Sequence, residues 1–119
     1  MTIDVHAHFV PPAIMEDINQ RGASYGVSLV EHPPGCHCCK FENGQQIRPF
    51  FETILSVDRR IEAMDRQGVD REILSVWADI FGYSLPPKQG AEWHRVLNDN
   101  LARIAEGTPD RFSWMASGA

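Results

Sequence analysis

The sequence predicts an α/β protein built on a parallel sheet, because short apolar strands alternate with amphipathic helices. The run from Glu72 to Trp77 has little polar alternation, which is typical of a strand covered on both faces by helices. Helical spacing precedes and follows this run, and the segment from Phe112 to Ala116 predicts a third strand. Strands joined through helices lie parallel and are connected by right-handed crossovers.

The first predicted strand runs from Thr2 to Phe9. Pro11-Pro12 ends it, because proline cannot donate a hydrogen bond to a neighbouring strand. The same prolines suit the start of a helix, and a short one is expected over Ala13 to Gln20.

An insertion follows, at about residues 10 to 55, and its part from residue 27 to 51 predicts a hairpin-like excursion. Asn43-Gly44 offers residues that tolerate a positive φ at the turn, and His32 to Gly35 is predicted to be loop. The apolar residues of the two predicted arms are Val27, Leu29 and Val30, and then Ile47, Phe50 and Phe51.

Two amphipathic helices complete the pattern. In the first, Val57, Ile61 and Met64 recur at i, i+4 and i+7, and Gly68 stands where a left-handed C-cap is expected. The second ends at Gly107, with Pro109 just beyond. Its helically spaced residues are Trp93, Val96, Leu97, Asn100, Leu101 and Ile104, and Trp93 is expected in the core together with Phe112.

Composition and charge exclude several classes of function. A net charge of −5, with 11 basic residues scattered among 16 acidic ones, gives no basic stripe for nucleic acid. No apolar run approaches the roughly 18 residues of a membrane span, and no secretory signal is recognisable, so a cytoplasmic protein without a membrane partner is expected. Cys36, Cys38 and Cys39 lie too close together to close a long disulfide loop, which favours reduced thiols.

The opening strand carries the strongest functional signal, His6-Ala7-His8. Residues two apart on a strand point to the same face, with Cα atoms about 6.6 Å apart, so two imidazoles can converge on one metal ion. Ala7 points the other way, and its small side chain suits close packing behind the strand. The alternative is a chance His-x-His whose histidines only form hydrogen bonds at a strand end.

The residues Ile3-Asp4-Val5-His6-Ala7-His8-Phe9 resemble the first strand of the amidohydrolase superfamily. They are most similar to its decarboxylase branch, typified by 2-amino-3-carboxymuconate-6-semialdehyde decarboxylase. Three further stretches agree with that branch: Ile47-Arg48-Pro49, the helix from Arg60 through Gly68 to Asp70, and Phe81-Gly82-Tyr83. The resemblance covers essentially the whole chain.

This resemblance implies a metal-dependent (β/α)8 TIM barrel with a hairpin-like insertion after strand one. At 119 residues the chain is far short of the roughly 250 of such a barrel, so residues 1–119 are expected to be an N-terminal fragment of one barrel domain. The family binds one divalent metal, usually zinc, through two strand-one histidines, a later histidine and a late aspartate. His6 and His8 match the first two, and the catalytic residues are expected beyond residue 119. The relatives' dimers imply a homodimer for a full-length form.

Arg48 matches an insertion arginine that the family associates with substrate carboxylates. A guanidinium is always charged and binds a carboxylate through two parallel hydrogen bonds. The resemblance therefore implies a small-molecule carboxylate as substrate. Without the resemblance, Arg48 reads as a surface arginine beside Pro49.

Three hypotheses for function follow from the resemblance. The first is a carboxy-lyase acting on a small unsaturated or aromatic carboxylate. The second is a hydrolase of the same superfamily, such as a lactonase, and the third is an inactive truncated fragment. The chain departs from the branch at Ser56-Val57-Asp58, where relatives carry Trp-Asp-Pro, and at Trp77-Ala78-Asp79-Ile80, where they carry Pro-Val-Met.

Other ligand-type residues have simpler interpretations. The cluster of His32, Cys36, His37, Cys38 and Cys39 has no second pair of ligands at zinc-finger spacing, so a thiol-rich loop is expected. His94 lies off the apolar stripe of its helix and is expected to be exposed. Trp77, Asp79 and Phe81 are expected at the C-terminal mouth of the second sheet strand, where Asp79 is a weak candidate acid or base.

Overall fold

A computed structural model describes residues 1–118. Three strands form a parallel sheet in the order β1-β4-β5, and β2 and β3 form a separate antiparallel pair. The elements in chain order are β1 (Ile3–Phe9), α1 (Ile14–Tyr25), β2 (Val27–Glu31), β3 (His37–Phe41), α2 (Glu52–Leu55), α3 (Val57–Gln67), β4 (Arg71–Val76), α4 (Pro87–Gly107) and β5 (Phe112–Met115). The predicted α/β class and the parallel pairing of the three sheet strands are confirmed.

Helix ends follow the residues at their caps. Ser56 caps α3 by accepting a hydrogen bond from the backbone N–H of Arg59, and Gly68 ends the helix at φ 71°, as its position predicts. Helix α1 runs five residues beyond the predicted end at Gln20 and stops before Gly26. It passes through Gly22, where a Cβ would lie 2.3 Å from the carbonyl oxygen of Val27. The glycine therefore serves the close approach of β2 instead of ending the helix.

The predicted hairpin is present, but the prediction of its second arm at Ile47, Phe50 and Phe51 is wrong. Strand β2 pairs with His37–Phe41, so that Val27 lies opposite Phe41 and Leu29 opposite Cys39. The connection is the His32 to Gly35 loop, and Asn43-Gly44 makes a later turn in which Gly44 has φ 88°. The paired strand buries Cys38, Cys39 and Phe41, which behave as apolar residues in this position. The expectation of a thiol-rich loop therefore holds only for Cys36.

The core lies between the parallel sheet and the helices. Trp93 and Phe112 are buried there, as predicted, and the indole N–H of Trp93 donates to the carbonyl oxygen of Ile80. Along β4, Glu72, Leu74 and Val76 are buried while the alternate residues are half-buried. Within residues 1–118 the helices thus cover one face of this strand, and the expectation of two covered faces is wrong.

His94 is also buried, at 3% exposure, which corrects the expectation of an exposed helical histidine. Its Nε2 lies 2.8 Å from the carbonyl oxygen of Phe81 and its Nδ1 lies 2.8 Å from the Ser117 hydroxyl. Burial lowers the pKa of His94, although the hydrogen bond to Phe81 acts in the opposite direction. The error arose because helical spacing alone does not reveal that two loops cover the polar side of α4.

Among the helices that the structure describes, none has both the length and the apolar character needed to cross a bilayer.

Candidate metal centre

The histidine strand contains an irregularity that decides which side chains share a face. Asp4 pairs with Glu72 and Ala7 pairs with Leu74, so β1 has one residue more than β4 between these pairs. This bulge puts Asp4 on the helix-facing side with Glu72, whereas His8 lies beside Ser75 on the opposite face. β-Bulges are common next to active sites, where they redirect side chains.

His6 and His8 are brought together on the face that the helices leave open. Their Nε2 atoms lie 3.1 Å apart and their rings meet edge to face. Ala7 between them is buried on the other face, as predicted. The two imidazoles therefore converge on one point at the C-terminal half of β1.

This separation fits two ligands of one metal ion. With Zn–N bonds of about 2.0–2.1 Å and a tetrahedral angle, two nitrogen ligands lie about 3.3–3.4 Å apart. The same distance also allows one imidazole to donate a hydrogen bond to the other when no ion lies between them. Both arrangements need the Nε2 atoms to face each other, which fixes the Nδ1 atoms as the outward sides of the pair.

Neighbouring groups hold the two histidines in place. The Ser75 hydroxyl lies 3.0 Å from Nδ1 of His8, where it can accept the Nδ1–H and leave Nε2 free to bind a metal. The Asp4 carboxylate accepts the backbone N–H of His6, which satisfies a donor at the bulge. Sequence patterns do not reveal Ser75, because its place opposite His8 depends on the register between β1 and β4.

Arg60 fixes the end of β1 from the helix side. Its guanidinium donates to the carbonyl oxygens of His8 and Thr53 and forms a 3.4 Å ion pair with Glu72. Burial raises the pKa of Glu72, and the charge of Arg60 opposes that rise. Arg60 thus ties β1, β4 and α2 together directly behind the histidine pair. The helix stretch that carries the resemblance begins at this residue, which was the only sequence signal for its role.

The described residues hold only part of a metal site. Among residues 1–118 no group of three or more His, Cys, Asp or Glu side chains could hold an ion together. A catalytic zinc site has three protein ligands and a water, so the pair is one ligand short.

Arg48 contacts two residues that follow β4, Trp77 and Asp79, and is separate from the histidine pair. Its guanidinium carbon lies 4.8 Å from the centre of the Trp77 ring, and its Nε donates to the Asp79 carboxylate at 2.9 Å. Trp77 is buried at the C-terminal end of β4, and it lines a cleft that His8 also lines. The expectation that Trp77 and Asp79 lie at this end of the strand is confirmed, but Asp79 is engaged in an ion pair with Arg48.

The cysteine cluster has a structural place. Cys38 and Cys39 are fully buried, and burial raises the pKa of Cys39 to about 12. A thiol held protonated in this way is a poor metal ligand, because the thiolate is the form that binds metal. Cys38 and Cys39 therefore belong to the core of the hairpin.

Comparisons with known proteins relate the chain to decarboxylases. No family model matches it. It is 28% identical over 117 residues to a 2-amino-3-carboxymuconate-6-semialdehyde decarboxylase from Dictyostelium discoideum, covering 98% of this chain and 32% of the relative. A protein of the same name from Caenorhabditis elegans is 27% identical over 110 residues, covering 92% of this chain and 27% of the relative. The chain thus spans about 30% of the length of these curated relatives.

Solved structures share the fold over the same extent. A dihydroxybenzoic acid decarboxylase from Polaromonas sp. JS666, with bound manganese and the inhibitor 2-nitroresorcinol, has a TM-score of 0.60 at 20% identity, with 98% of this chain and 29% of that one covered. A 4-oxalomesaconate hydratase from Rhodopseudomonas palustris has a TM-score of 0.55 at 21% identity, with 98% and 32% covered. A 2,6-dihydroxybenzoate decarboxylase complexed with 2,6-dihydroxybenzoate has a TM-score of 0.53 at 21% identity, with 97% and 30% covered.

These matches confirm the predicted resemblance to the decarboxylases, and the fold agrees with part of the three solved structures. The chain is a distant homologue of the 2-amino-3-carboxymuconate-6-semialdehyde decarboxylases and corresponds to about the N-terminal third of those enzymes.

Proposed function

We propose that the chain forms the N-terminal part of a metal-dependent carboxy-lyase that acts on a small unsaturated or aromatic carboxylate. The observation that carries this proposal is the pair of Nε2 atoms 3.1 Å apart on the first strand of a decarboxylase homologue. In this proposal His6 and His8 bind the divalent metal, and Arg48 binds the substrate's carboxylate.

The metal, when bound, supplies a Lewis acid that polarises or orients the substrate. Imidazole ligands suit zinc, and a structural neighbour contains manganese, so both ions are candidates. Ser75 would keep His8 in the tautomer that presents Nε2, and Arg60 would hold the strand end through the His8 carbonyl. Arg48 would fix the orientation of the substrate by charge and by its fork of donors.

Further ligands and the proton-transfer group would have to come from outside these 119 residues. The histidine pair lies on the sheet face that the described helices leave open, which is where later barrel strands would bring such groups. In this proposal residues 1–119 have no activity alone. The hypothesis of an inactive truncated fragment then applies to the isolated chain, and the carboxy-lyase hypothesis applies to the extended form.

The test compares the 119-residue chain with a form extended at its C-terminus to the length of its relatives, about 250 residues more, since 117 matched residues make up 32% of one relative. Both are assayed for bound zinc and manganese, and for CO2 release from 2,6-dihydroxybenzoate and 2-amino-3-carboxymuconate-6-semialdehyde. We expect CO2 release by the extended form only, and its loss after His6→Ala. Ring opening of a lactone panel without CO2 release would favour the hydrolase, and turnover by the 119-residue chain would contradict the division of the site.

A further inference from the structure

The guanidinium of Arg48 is held on two sides and open on the third. Its guanidinium carbon lies over the Trp77 ring, 4.8 Å from the ring centre, and its Nε donates to the Asp79 carboxylate at 2.9 Å. Its NH1 and NH2 atoms donate no hydrogen bond to any residue from 1 to 118. The terminal pair of nitrogens is the edge of the fork that can bind a carboxylate through two parallel bonds.

Neither contact would immobilise Arg48 by itself. The side chains of Arg48 and Asp79 are 66% and 36% exposed, and an ion pair this exposed contributes little because water screens it. A cation–π contact at an exposed site is similarly weak. Acting on two sides of one planar group, the two contacts restrict both its position and its rotation.

The Trp77 ring is itself a fixed platform. It is 4% exposed, and its backbone N–H donates to the carbonyl oxygen of Phe9 at 3.1 Å. Phe50 and Phe51 meet its ring edge to face, at centroid distances of 6.2 and 5.7 Å. This backbone hydrogen bond attaches Trp77 directly to the end of β1. The position of Arg48 is therefore fixed relative to the strand that carries His6 and His8.

We infer that Trp77 and Asp79 are positioning residues that orient Arg48 so that its NH1–NH2 edge receives the carboxylate of the substrate. This inference rests on the proposed function, since it assumes that Arg48 binds a carboxylate. Arg48 would favour a substrate whose carboxylate lies in the plane of the guanidinium, because only such a carboxylate accepts both hydrogen bonds.

The test is a double-mutant cycle on the binding of 2,6-dihydroxybenzoate, measured by titration calorimetry in the 119-residue chain and in the extended form. Arg48→Lys keeps the charge and removes the fork, and we expect it to weaken binding about tenfold. In an Asp79→Asn background the fork is no longer oriented, so the same change should cost only about twofold. Asp79→Glu, which keeps the carboxylate, should restore most of the difference, and Asp99→Asn, an exposed aspartate on α4, is the control for charge.

A second readout follows Arg48 without any ligand. Its Nε–H resonance should be shifted by the ring current of Trp77 and protected from exchange, and Asp79→Asn should remove the protection. Trp77→Leu should remove the ring-current shift. Trp77→Phe keeps an aromatic face and should retain part of the shift, so the test does not depend on whether Trp77→Leu folds.

The outcomes separate the two claims. An equal cost of Arg48→Lys with and without Asp79, or an unprotected Nε–H in the unmodified chain, overturns the inference and leaves the proposed function standing. If the extended form neither binds 2,6-dihydroxybenzoate nor releases CO2 from it, the proposed function is overturned and the inference with it.

Discussion

Strands β1 and β3 are both dense in residues that can bind metal, yet only β1 brings such residues to a common open point. On β1, His6 and His8 alternate with the buried Ala7 and face each other across 3.1 Å. On β3, Cys38 and Cys39 are adjacent and both fully buried, with Cys38 donating weakly to the carbonyl oxygen of Val30.

Spacing and exposure thus decide the role of a ligand-type residue more than its chemical type does. Alternate residues on a strand share a face, whereas adjacent residues do not. Burial then turns a thiol into a small apolar side chain, while the open face of β1 leaves both imidazoles free to bind. Four predictions test this contrast.

The largest effect is expected at the histidine pair. His6→Ala or His8→Ala should lower the affinity for zinc at least 100-fold, about 2.7 kcal/mol, because a single imidazole remains. Competitive titration against a chromogenic chelator measures this. His37→Ala, on β3, is the matched control, and an equal loss of affinity in that variant would remove the distinction between the two strands.

Next in size is the packing of the thiols. Cys39→Ser should destabilise the chain by about 1–3 kcal/mol, because it buries a hydroxyl that is more strongly hydrated than a thiol. Urea denaturation gives the change, and Cys36→Ser at the less buried loop position should stay within about 0.5 kcal/mol.

In the folded chain at pH 8 a thiol reagent should label Cys36 quickly and Cys39 slowly, since burial raises the pKa of Cys39 to about 12. Rapid labelling of Cys39 would contradict its burial.

A smaller effect is expected at Ser75, whose hydroxyl contacts Nδ1 of His8. Ser75→Ala removes the partner of His8 Nδ1 and should weaken zinc binding about tenfold without unfolding the chain. Ser28→Ala, on the exposed side of β2, serves as the control. Unchanged zinc affinity after Ser75→Ala would show that the tautomer of His8 is set by another group.

The smallest effect is expected at His94, a buried residue that can ionise, and concerns the pH dependence of stability. Because the folded pKa of His94 lies below the unfolded value of about 6.5, its contribution to stability is complete above pH 6.5 and is lost as pH falls through the folded pKa. One such group changes the free energy of unfolding by at most about 1.4 kcal/mol per pH unit. Urea midpoints between pH 7.5 and 5 should show this slope and lose it in His94→Gln. A slope that persists unchanged in His94→Gln would assign it to other groups.

The sequence predicted much of this fold because local patterns carry it. The spacing of Val57, Ile61 and Met64 and the cap at Gly68 placed α3, and the alternation around Ala7 put His6 and His8 on one face. What failed depends on contacts between distant segments. The second hairpin arm, the burial of His94 and the bulge after Asp4 are all set by pairing and packing that periodicity does not contain.

The candidate site divides in the same way. The two histidines were predictable from spacing and from resemblance, whereas Ser75 and Arg60 join them only through the register of the sheet and the docking of α3. The Asp79 and Trp77 contacts of Arg48 cross more than 25 residues of sequence and could not be derived from local pattern.

X-ray absorption at the zinc edge of the zinc-loaded chain identifies which of the two strands, β1 or β3, binds the metal. We expect a first shell of nitrogen and oxygen at about 2.0–2.1 Å, with no sulfur at about 2.3 Å, and loss of bound zinc when His6 and His8 are both changed to alanine. Changing Cys38 and Cys39 to alanine should leave that shell unaltered. A sulfur shell, or zinc retained without the two histidines, would contradict the claim that β1 is the metal-binding strand.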